Sequence, residues 1–86
     1  MVGRARREEN RILHNRLRAM RTDHGLSRAQ LAERIGVNVQ TVGALERGQY
    51  YPSLYVAMLI AEMLDTPVQD VFSWQPWEPD AAPMGG

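Results

Sequence analysis

A glycine at position 36 separates two short amphipathic segments, and this hinge constrains the fold more than any other feature of the sequence. Residues 28–35 before it and residues 39–47 after it both repeat apolar side chains at helical spacing. Ala32 stands four positions before the hinge, where two crossing helices approach and a larger side chain would force them apart. Gly36 tolerates the positive φ of such a turn without steric cost. This is the spacing of a helix-turn-helix, although helices joined in this way also occur in other all-α proteins.

Capping residues bound both helices of this pair. Ser27 and Gln30 have the spacing of a capping box, so the first helix is expected to start after Ser27 and to end at the hinge. Asn38 is the expected N-cap of the second helix, with Thr41 at its third position, and Gly48 ends it. The inward face is expected to combine apolar residues of the pair with two from the preceding segment: Leu17, Met20, Leu31, Ile35, Val37, Val42 and Leu45.

Three further helices are expected around the pair, which makes the predicted fold all-α, with no strand. Apolar spacing predicts one helix over residues 10–24, a second over 52–65 and a short third over 66–72. Gly25 supplies a left-handed stop for the first, and Pro67 suits the first turn of the last. The expected core stripe of the helix over 52–65 consists of Leu54, Ala57, Ile60, Ala61 and Leu64.

The net charge of zero conceals a strong asymmetry along the chain. Residues 1–47 contain all ten arginines and five acidic residues, whereas residues 48–86 contain five acidic residues and no arginine or lysine. A cationic half of this kind can face phosphate, although a charged segment is also common as an ordinary solvated face. The asymmetry therefore permits a nucleic-acid partner without requiring one.

Several classes of function lack their residues. The chain has no cysteine, which excludes disulfides and thiolate metal sites. His14 and His24 stand ten positions apart, and the sequence has no paired carboxylate spacing, HExxH, phosphate-binding glycine loop or GxSxG. We therefore expect no enzyme, no cofactor and no metal. No segment resembles a membrane span or a signal peptide, so the expected location is the cytoplasm. There the protein would be associated with the nucleoid, and its gene would belong to a bacterium, an archaeon or a phage.

A series of short, ordered motifs resembles the lambdoid repressor/Cro-like (XRE-type) family of bacterial and phage helix-turn-helix regulators. The matching residues are Asn15-Arg16-Leu17-Arg18, Arg21, Gly25-Leu26-Ser27, Leu31-Ala32, Gly36-Val37, Thr41-Val42, Leu45-Glu46-Arg47-Gly48, Pro52-Ser53-Leu54, Ala57, Ile60-Ala61, Leu64 and Val71-Phe72. The resemblance implies a compact five-helix lambda-repressor-like DNA-binding domain, here over residues 10–72, with the helix-turn-helix at its second and third helices. Such domains usually act as homodimers on palindromic operators, with the third helix entering the major groove of double-stranded DNA.

In that geometry, exposed side chains of the third helix are expected to read bases. Gln40 is the leading candidate because its amide can both donate to and accept from an adenine edge. Val39 and Ala44 could pack on thymine methyl groups, and Thr41 lies near the groove unless its hydroxyl serves the first turn of the helix. Gly43 is expected to face solvent as well, which would allow close approach to DNA but leave fewer side chains to read it.

A second group of residues is expected to contact phosphate. Arg28 stands where relatives often carry a phosphate-contacting glutamine, and Asn38 lies beside the amide donors of a helix N-terminus. Arg21 and Glu46 match a pair that forms an ion pair in relatives, so Arg21 would be mainly structural beside the DNA backbone. Arg47 could instead interact with the dipole at the end of its own helix. The full predicted phosphate set is Arg21, Arg28, Asn38, Arg47, Gln49, Tyr50 and Tyr51.

The helix over residues 52–65 is apolar on nearly all sides, which predicts burial against something outside the domain. A second copy of the chain is the expected cover; the alternative is a monomer whose C-terminal tail folds over this surface. The predicted dimer interface consists of Tyr55, Met58, Leu59, Met63, Phe72 and Trp74.

The two ends of the chain are expected to be less regular. Residues 1–9 form a basic flexible arm whose Arg4, Arg6 and Arg7 resemble the minor-groove arms of some relatives. Residues 73–86 form an acidic tail containing Trp and Pro, expected to be largely disordered.

The leading functional hypothesis is a dimeric, sequence-specific transcriptional regulator, with repression favoured because no activation or ligand domain is evident. One alternative is an antitoxin or a restriction–modification controller protein that binds DNA together with a protein partner. An alternative from another class is a protein-interaction adaptor that acts through its C-terminal tail.

Overall fold

The computed structural model describes residues 11–78, in which four α-helices, one 3₁₀ helix and a two-stranded antiparallel sheet surround an apolar core. The elements in chain order are β1 His14–Asn15, α1 Leu17–Asp23, α2 Arg28–Ile35, α3 Val39–Glu46, α4 Leu54–Met63, the 3₁₀ helix Val68–Asp70 and β2 Phe72–Ser73. The predicted basic arm at residues 1–9 lies outside the described residues.

The helix-turn-helix hinge and its capping residues are confirmed. The Ser27 hydroxyl accepts a hydrogen bond from the Gln30 amide at 3.0 Å, and the Gln30 side chain accepts one from the Ser27 amide at 2.7 Å. Asn38 Oδ1 accepts a hydrogen bond from the Thr41 amide at 2.9 Å. Gly36 ends α2 with φ of 78°, the left-handed conformation that a residue with a Cβ rarely adopts. Local capping chemistry therefore sets the start of both helices, as the sequence predicts.

The prediction of a helix over residues 10–24 without any strand is wrong in its first half. The α1 helix begins only at Leu17, and the preceding residues form β1, where His14 pairs with Ser73 and Asn15 with Phe72. Asn15 explains this boundary, because its Oδ1 accepts a hydrogen bond from the amide of Leu17 at 2.9 Å and so satisfies a donor of the first helical turn. Pairing with a strand far along the sequence is a tertiary interaction that apolar periodicity does not record.

The predicted fifth helix is also wrong, since only the 3₁₀ helix occupies that region. After its three residues the backbone becomes extended and returns to β1, and the Arg16 amide donates to the Val71 carbonyl at 3.0 Å. The hydrogen bonds that would continue a helix are replaced by those of the sheet. The described part of the chain therefore has four α-helices, and the predicted domain boundary after Phe72 falls inside β2.

The core lies where α1, α2, α3 and α4 meet, and it matches the predicted inward face closely. Leu17, Met20, Leu31, Val42 and Ile60 are fully buried. Leu54 was expected in this core, but its side chain is 75% exposed. Leu54 is the first residue of α4, and packing of this helix against the core begins with the half-buried Val56 and the buried Ala57. The remaining members of the core are Ala32, Ile35, Leu45, Ala57, Leu64, Val71 and Phe72.

Candidate nucleic-acid interface

The α3 helix separates an inward face from an outward face. Val42 and Leu45 are buried and attach the helix to the core, whereas Gln40 is exposed and the Val39 side chain is 43% exposed. Ala44 is half-buried. The predicted base-reading residues therefore include two at the N-terminal end of α3 that are accessible to a large partner.

Thr41 is the least available of the predicted base-reading residues. It is half-buried, and its hydroxyl donates to Asn38 Oδ1 at 2.8 Å. Asn38 Oδ1 also accepts the Thr41 amide hydrogen, so this oxygen is committed to the first turn of α3. The Asn38 side chain is exposed, and its Nδ2 is the atom suited to donate to a phosphate.

The prediction that Gly43 faces solvent is wrong, because this residue is buried beneath Arg47. A methyl group at Gly43 would lie 3.0 Å from Nη1 of Arg47. Arg47 Nε donates to Gln49 Oε1 at 3.1 Å, which links this guanidinium to the following loop. The middle of α3 is thus covered by an arginine that starts one turn further along the helix.

Three elements meet at the carboxylate of Glu46, near the end of α3. Arg21 from α1 donates through Nε to Glu46 Oε2 at 2.5 Å, and Arg28 from α2 donates through Nε to Oε1 at 2.9 Å. The Glu46 side chain is only 2% exposed. Burial raises the pKa of Glu46, but hydrogen bonds from Arg21 and Arg28, with their positive charges, outweigh burial and leave the pKa below its ordinary value.

The Arg21–Glu46 ion pair is therefore confirmed, and it removes Arg21 from the predicted phosphate contacts. The Arg21 side chain is only 9% exposed, and its Nη1 donates to the Leu26 carbonyl at 2.7 Å. These bonds turn the guanidinium inward, where it joins α1 to the end of α3. Arg28 differs, because 40% of its side chain remains exposed at the N-terminus of α2.

The loop after α3 presents the remaining predicted phosphate contacts. Gln49, Tyr50 and Tyr51 are all exposed, and the Gln49 amide donates to the Ala44 carbonyl at 2.9 Å, which fixes the loop to the helix. The Leu13 amide donates to the Tyr51 hydroxyl at 3.4 Å. The loop therefore lies between the end of α3 and the segment before β1.

The predicted dimer surface is only partly exposed. Tyr55 and Met58 on α4 are 73% and 56% exposed, and Trp74 is 53% exposed. Leu59 and Met63 are half-buried against the core. Phe72 is 9% exposed and belongs to the core, so its side chain is not accessible for the dimer contact that the sequence predicts.

The segment after Phe72 was expected to be largely disordered, but residues 73–78 pack against the start of the described chain. The Trp74 ring lies against the guanidinium of Arg11, with 4.0 Å between Cζ and the ring centroid, and Trp77 lies 4.7 Å from Cζ of Arg16. Arg16 Nε also donates to the Asp70 carbonyl at 2.7 Å. No local signal in the sequence could have shown these contacts, since each joins residues more than fifty positions apart.

Asn15 is a structural residue of this region whose role the sequence analysis missed. Its Nδ2 donates to the Leu45 carbonyl at 2.9 Å, so one side chain joins β1, α1 and the end of α3. Asn15 stands one position before the N-cap residue Arg16, so the usual N-cap preference does not indicate this role, which depends on the contact with the distant Leu45. Beside it, residues 12–15 and 46–48 line a pocket of about 240 Å³.

Two other classes of site are absent from the part of the chain that the structure describes. Between residues 11 and 78, no three His, Asp or Glu side chains group closely enough to hold a metal ion. Within the same residues, no helix combines the length and apolar character that crossing a membrane requires.

Comparison with known proteins places this geometry in a family. An uncharacterized HTH-type transcriptional regulator of Methanocaldococcus jannaschii is 36% identical over 63 residues, which cover 73% of this chain and 96% of that protein. YgzD of Bacillus subtilis, also named an uncharacterized HTH-type transcriptional regulator, is 38% identical over 60 residues, covering 70% of this chain and 91% of YgzD.

Two solved structures share the fold. The restriction-modification controller protein C.AhdI from Aeromonas hydrophila has a TM-score of 0.59 and 41% identity, and the match covers 63% of this chain and 82% of C.AhdI. The clp gene regulator ClgR from Corynebacterium glutamicum has a TM-score of 0.60 and 31% identity, covering 63% of this chain and 57% of ClgR. The helix-turn-helix family model matches residues 17–71, from the first residue of α1 to the residue directly after the 3₁₀ helix. The chain belongs to the XRE-type helix-turn-helix family.

Proposed function

We propose that this protein is a sequence-specific DNA-binding transcriptional regulator that acts as a homodimer on a palindromic operator. The observation that carries the proposal is the orientation of α3. Its buried face holds it on the core through Val42 and Leu45, while Val39 and Gln40 are exposed at its N-terminal end. In a helix-turn-helix domain, the N-terminal part of the second helix enters the major groove.

Direct reading of bases falls mainly to Gln40. Its exposed amide can donate to N7 or accept from N6 of an adenine, a contact that contributes about 1–3 kcal/mol of discrimination between bases. Val39 and Ala44 offer apolar contacts to thymine methyl groups. Thr41 contributes less, because its hydroxyl is already bonded within α3.

Phosphate binding falls to residues at the rim of this surface. Arg28 is held in position by Glu46 and still exposes part of its side chain, so it can contact phosphate without losing the ion pair. Asn38 Nδ2 and the free amides at the N-terminus of α3 supply further donors. Tyr50 and Tyr51 are exposed and continue the same rim, and the Tyr51 hydroxyl also accepts a hydrogen bond from the Leu13 backbone amide.

A second copy of the chain is the proposed partner of α4. Leu54, Tyr55 and Met58 expose more than half of their side chains to solvent on one short helix. Such an apolar surface on a small domain is typical of a binding interface. A twofold dimer would place two copies of α3 roughly 34 Å apart, one turn of DNA, and so match a palindromic operator. Occupation of a promoter by such a compact dimer favours repression.

Selection from a random duplex pool tests the proposal. The protein should enrich a short palindrome, and its affinity for that duplex should fall steeply with salt concentration. If no selected duplex competes better than bulk DNA, the protein is not a sequence-specific regulator.

A restriction–modification controller is the second candidate, because the controller protein C.AhdI is similar in sequence and structure. An antitoxin that binds DNA with a protein partner belongs to the same group of alternatives. Purification from the source organism, followed by identification of bound protein and bound DNA, separates the two. An antitoxin should retain a second protein, whereas a controller should retain DNA from upstream of restriction–modification genes.

The adaptor hypothesis predicts a partner for the C-terminal segment. Trp74 and Trp77 already contact Arg11 and Arg16 of the same chain, which gives these rings a role within the domain. Replacing Trp77, which is not part of the predicted dimer interface, by alanine should abolish partner binding by an adaptor, but a regulator that remains folded should keep its operator.

A further inference from the structure

We propose that Arg47 reads a guanine in the major groove, and that Gly43 forms the seat that places its guanidinium there. The inference rests on the proposed function and adds a specificity-determining residue to it. The sequence alone places Arg47 among the phosphate contacts or at the dipole of its own helix. The structure favours base reading through three observations.

The first observation is the position of Arg47 on α3. Val39, Gly43 and Arg47 recur every four residues, so they share one face of the helix. Val39, at the outer end of this face, is 43% exposed. Side chains on a helix lean toward its N-terminus, so Arg47 extends back along the face that carries the reading residues.

The second observation is the contact with Gly43. A methyl group on Gly43 would lie 3.0 Å from Nη1 and 3.7 Å from both Cζ and Nη2 of Arg47. The guanidinium group therefore lies across the glycine, where a methyl group would force Nη1 to shift by a few tenths of an ångström and a larger side chain would displace the group further. A glycine inside a helix is less stable than alanine by about 1 kcal/mol, and the seat gives this position a physical reason.

The third observation is the orientation of the guanidinium. Nε of Arg47 donates to the side-chain oxygen Oε1 of Gln49 at 3.1 Å. The backbone of Gln49 is held in place because its backbone amide donates to the Ala44 carbonyl at 2.9 Å. Among residues 11–78, no acceptor takes a hydrogen bond from Nη1 or Nη2 of Arg47, and no carboxylate pairs with it. Two terminal amino groups in one plane match the O6 and N7 acceptors of guanine.

Base-by-base binding measurements on the selected operator test this inference. Wild-type protein should prefer guanine at one position of each half-site, and Arg47→Ala should reduce that preference by about tenfold or more while leaving other positions unchanged. Alanine is used because lysine can also donate to O6 and N7 of guanine. If Arg47→Ala keeps every base preference of the wild type, the inference is overturned.

Two further variants complete the experiment. Arg34→Ala, which changes an exposed arginine of α2, is the matched control and should leave all base preferences unchanged. Gly43→Ala should reduce the same guanine preference while remaining folded by circular dichroism, because its methyl group shifts the guanidinium by a few tenths of an ångström. Retention of that preference in folded Gly43→Ala would overturn the proposed seat.

Failure of the proposed function gives a different result. If wild-type protein selects no duplex at all, the regulator proposal itself fails. If the wild type selects an operator but Arg47→Ala weakens binding to every sequence equally, with a salt slope lower by about one, Arg47 is a phosphate contact and only this inference fails.

Discussion

Arg21 and Glu46 form a buried ion pair that joins α1 to the end of α3, with 2.5 Å between Nε and Oε2. The two residues are 25 positions apart, and both side chains are almost fully removed from solvent. The same Glu46 carboxylate also accepts a hydrogen bond from Arg28 of α2, so it joins both α1 and α2 to the end of α3. The pair thus fixes the orientation of α3 relative to the rest of the domain.

Removing Arg21 should destabilise the fold strongly. In Arg21→Ala, Glu46 remains buried with one of its two arginine partners lost, and we expect a loss of about 3 kcal/mol in the free energy of unfolding. Urea denaturation followed by circular dichroism measures this loss. Arg18→Ala, an exposed arginine on the same helix, is the control and should change stability by less than about 0.5 kcal/mol. Equal stability of the two variants would show that the buried pair contributes little.

Acidification should reveal the protonation state of Glu46. Its pKa is lower in the folded protein than in the unfolded chain, so ionised Glu46 stabilises the fold above its unfolded pKa. That contribution is lost as the pH falls through the lower, folded pKa. The wild type should therefore lose more stability between pH 7 and about pH 3 than Glu46→Gln, which has no carboxyl group at this position.

Urea midpoints of both proteins across that pH range provide the measurement. Every other carboxyl group titrates in both proteins, so the difference between the two curves isolates Glu46. Parallel curves would mean that the pKa of Glu46 does not differ between the folded and unfolded states.

Gln40→Ala should relax base specificity without changing the fold. The side-chain amide of Gln40 is exposed, and within residues 11–78 it makes no hydrogen bond that attaches α3 to the domain. The stability of the variant should therefore match the wild type. Discrimination at one operator position per half-site should fall by about 1–3 kcal/mol. Arg28→Ala should instead weaken binding to all sequences, because phosphate contacts carry no sequence information.

Competition binding with operators substituted at single positions separates the two effects. Gln69→Ala, an exposed glutamine of the 3₁₀ helix, is the matched control and should bind like the wild type. Unchanged discrimination in Gln40→Ala would assign base reading to other residues of α3.

Met58→Glu should separate the proposed dimer into monomers. Met58 is 56% exposed in the single chain, so the charged side chain can be solvated without disturbing the core. In an apolar interface the same carboxylates would be desolvated and would repel each other across the twofold axis. Sedimentation equilibrium should show the mass of a monomer, and thermal unfolding should remain cooperative. A monomeric wild type would refute the proposed homodimer, and a dimeric Met58→Glu variant would place the dimer interface elsewhere.

The helix-turn-helix could be predicted from sequence because its signals are local. The Ser27–Gln30 capping box, the Asn38 cap and the left-handed Gly36 all act within four residues, so the bounds of α2 and α3 follow from short-range chemistry. The Arg21–Glu46 ion pair can also be predicted from the sequence, but only because those two positions match a family pattern.

Two of the errors, the missing β1 strand and the predicted fifth helix, have a common cause, which is long-range pairing. The β1 strand exists because Asn15 lies opposite Phe72, and no periodicity within either segment announces that pairing. The same contact shortens α1 and replaces the predicted fifth helix by a 3₁₀ helix. Leu54 was misplaced because apolar spacing shows which face of α4 is buried but not where along the helix burial begins.

Where the two helices of the helix-turn-helix begin and turn follows from local sequence, because capping groups and glycine conformations act on their nearest neighbours. The burial of Arg21 and the partial exposure of Arg28, which both donate to Glu46, depend instead on the packing of the helices. The position of Arg47 across Gly43 depends on that packing as well. The direction of a long side chain depends on which helices pack beside it, and that packing emerges only when the whole chain has folded.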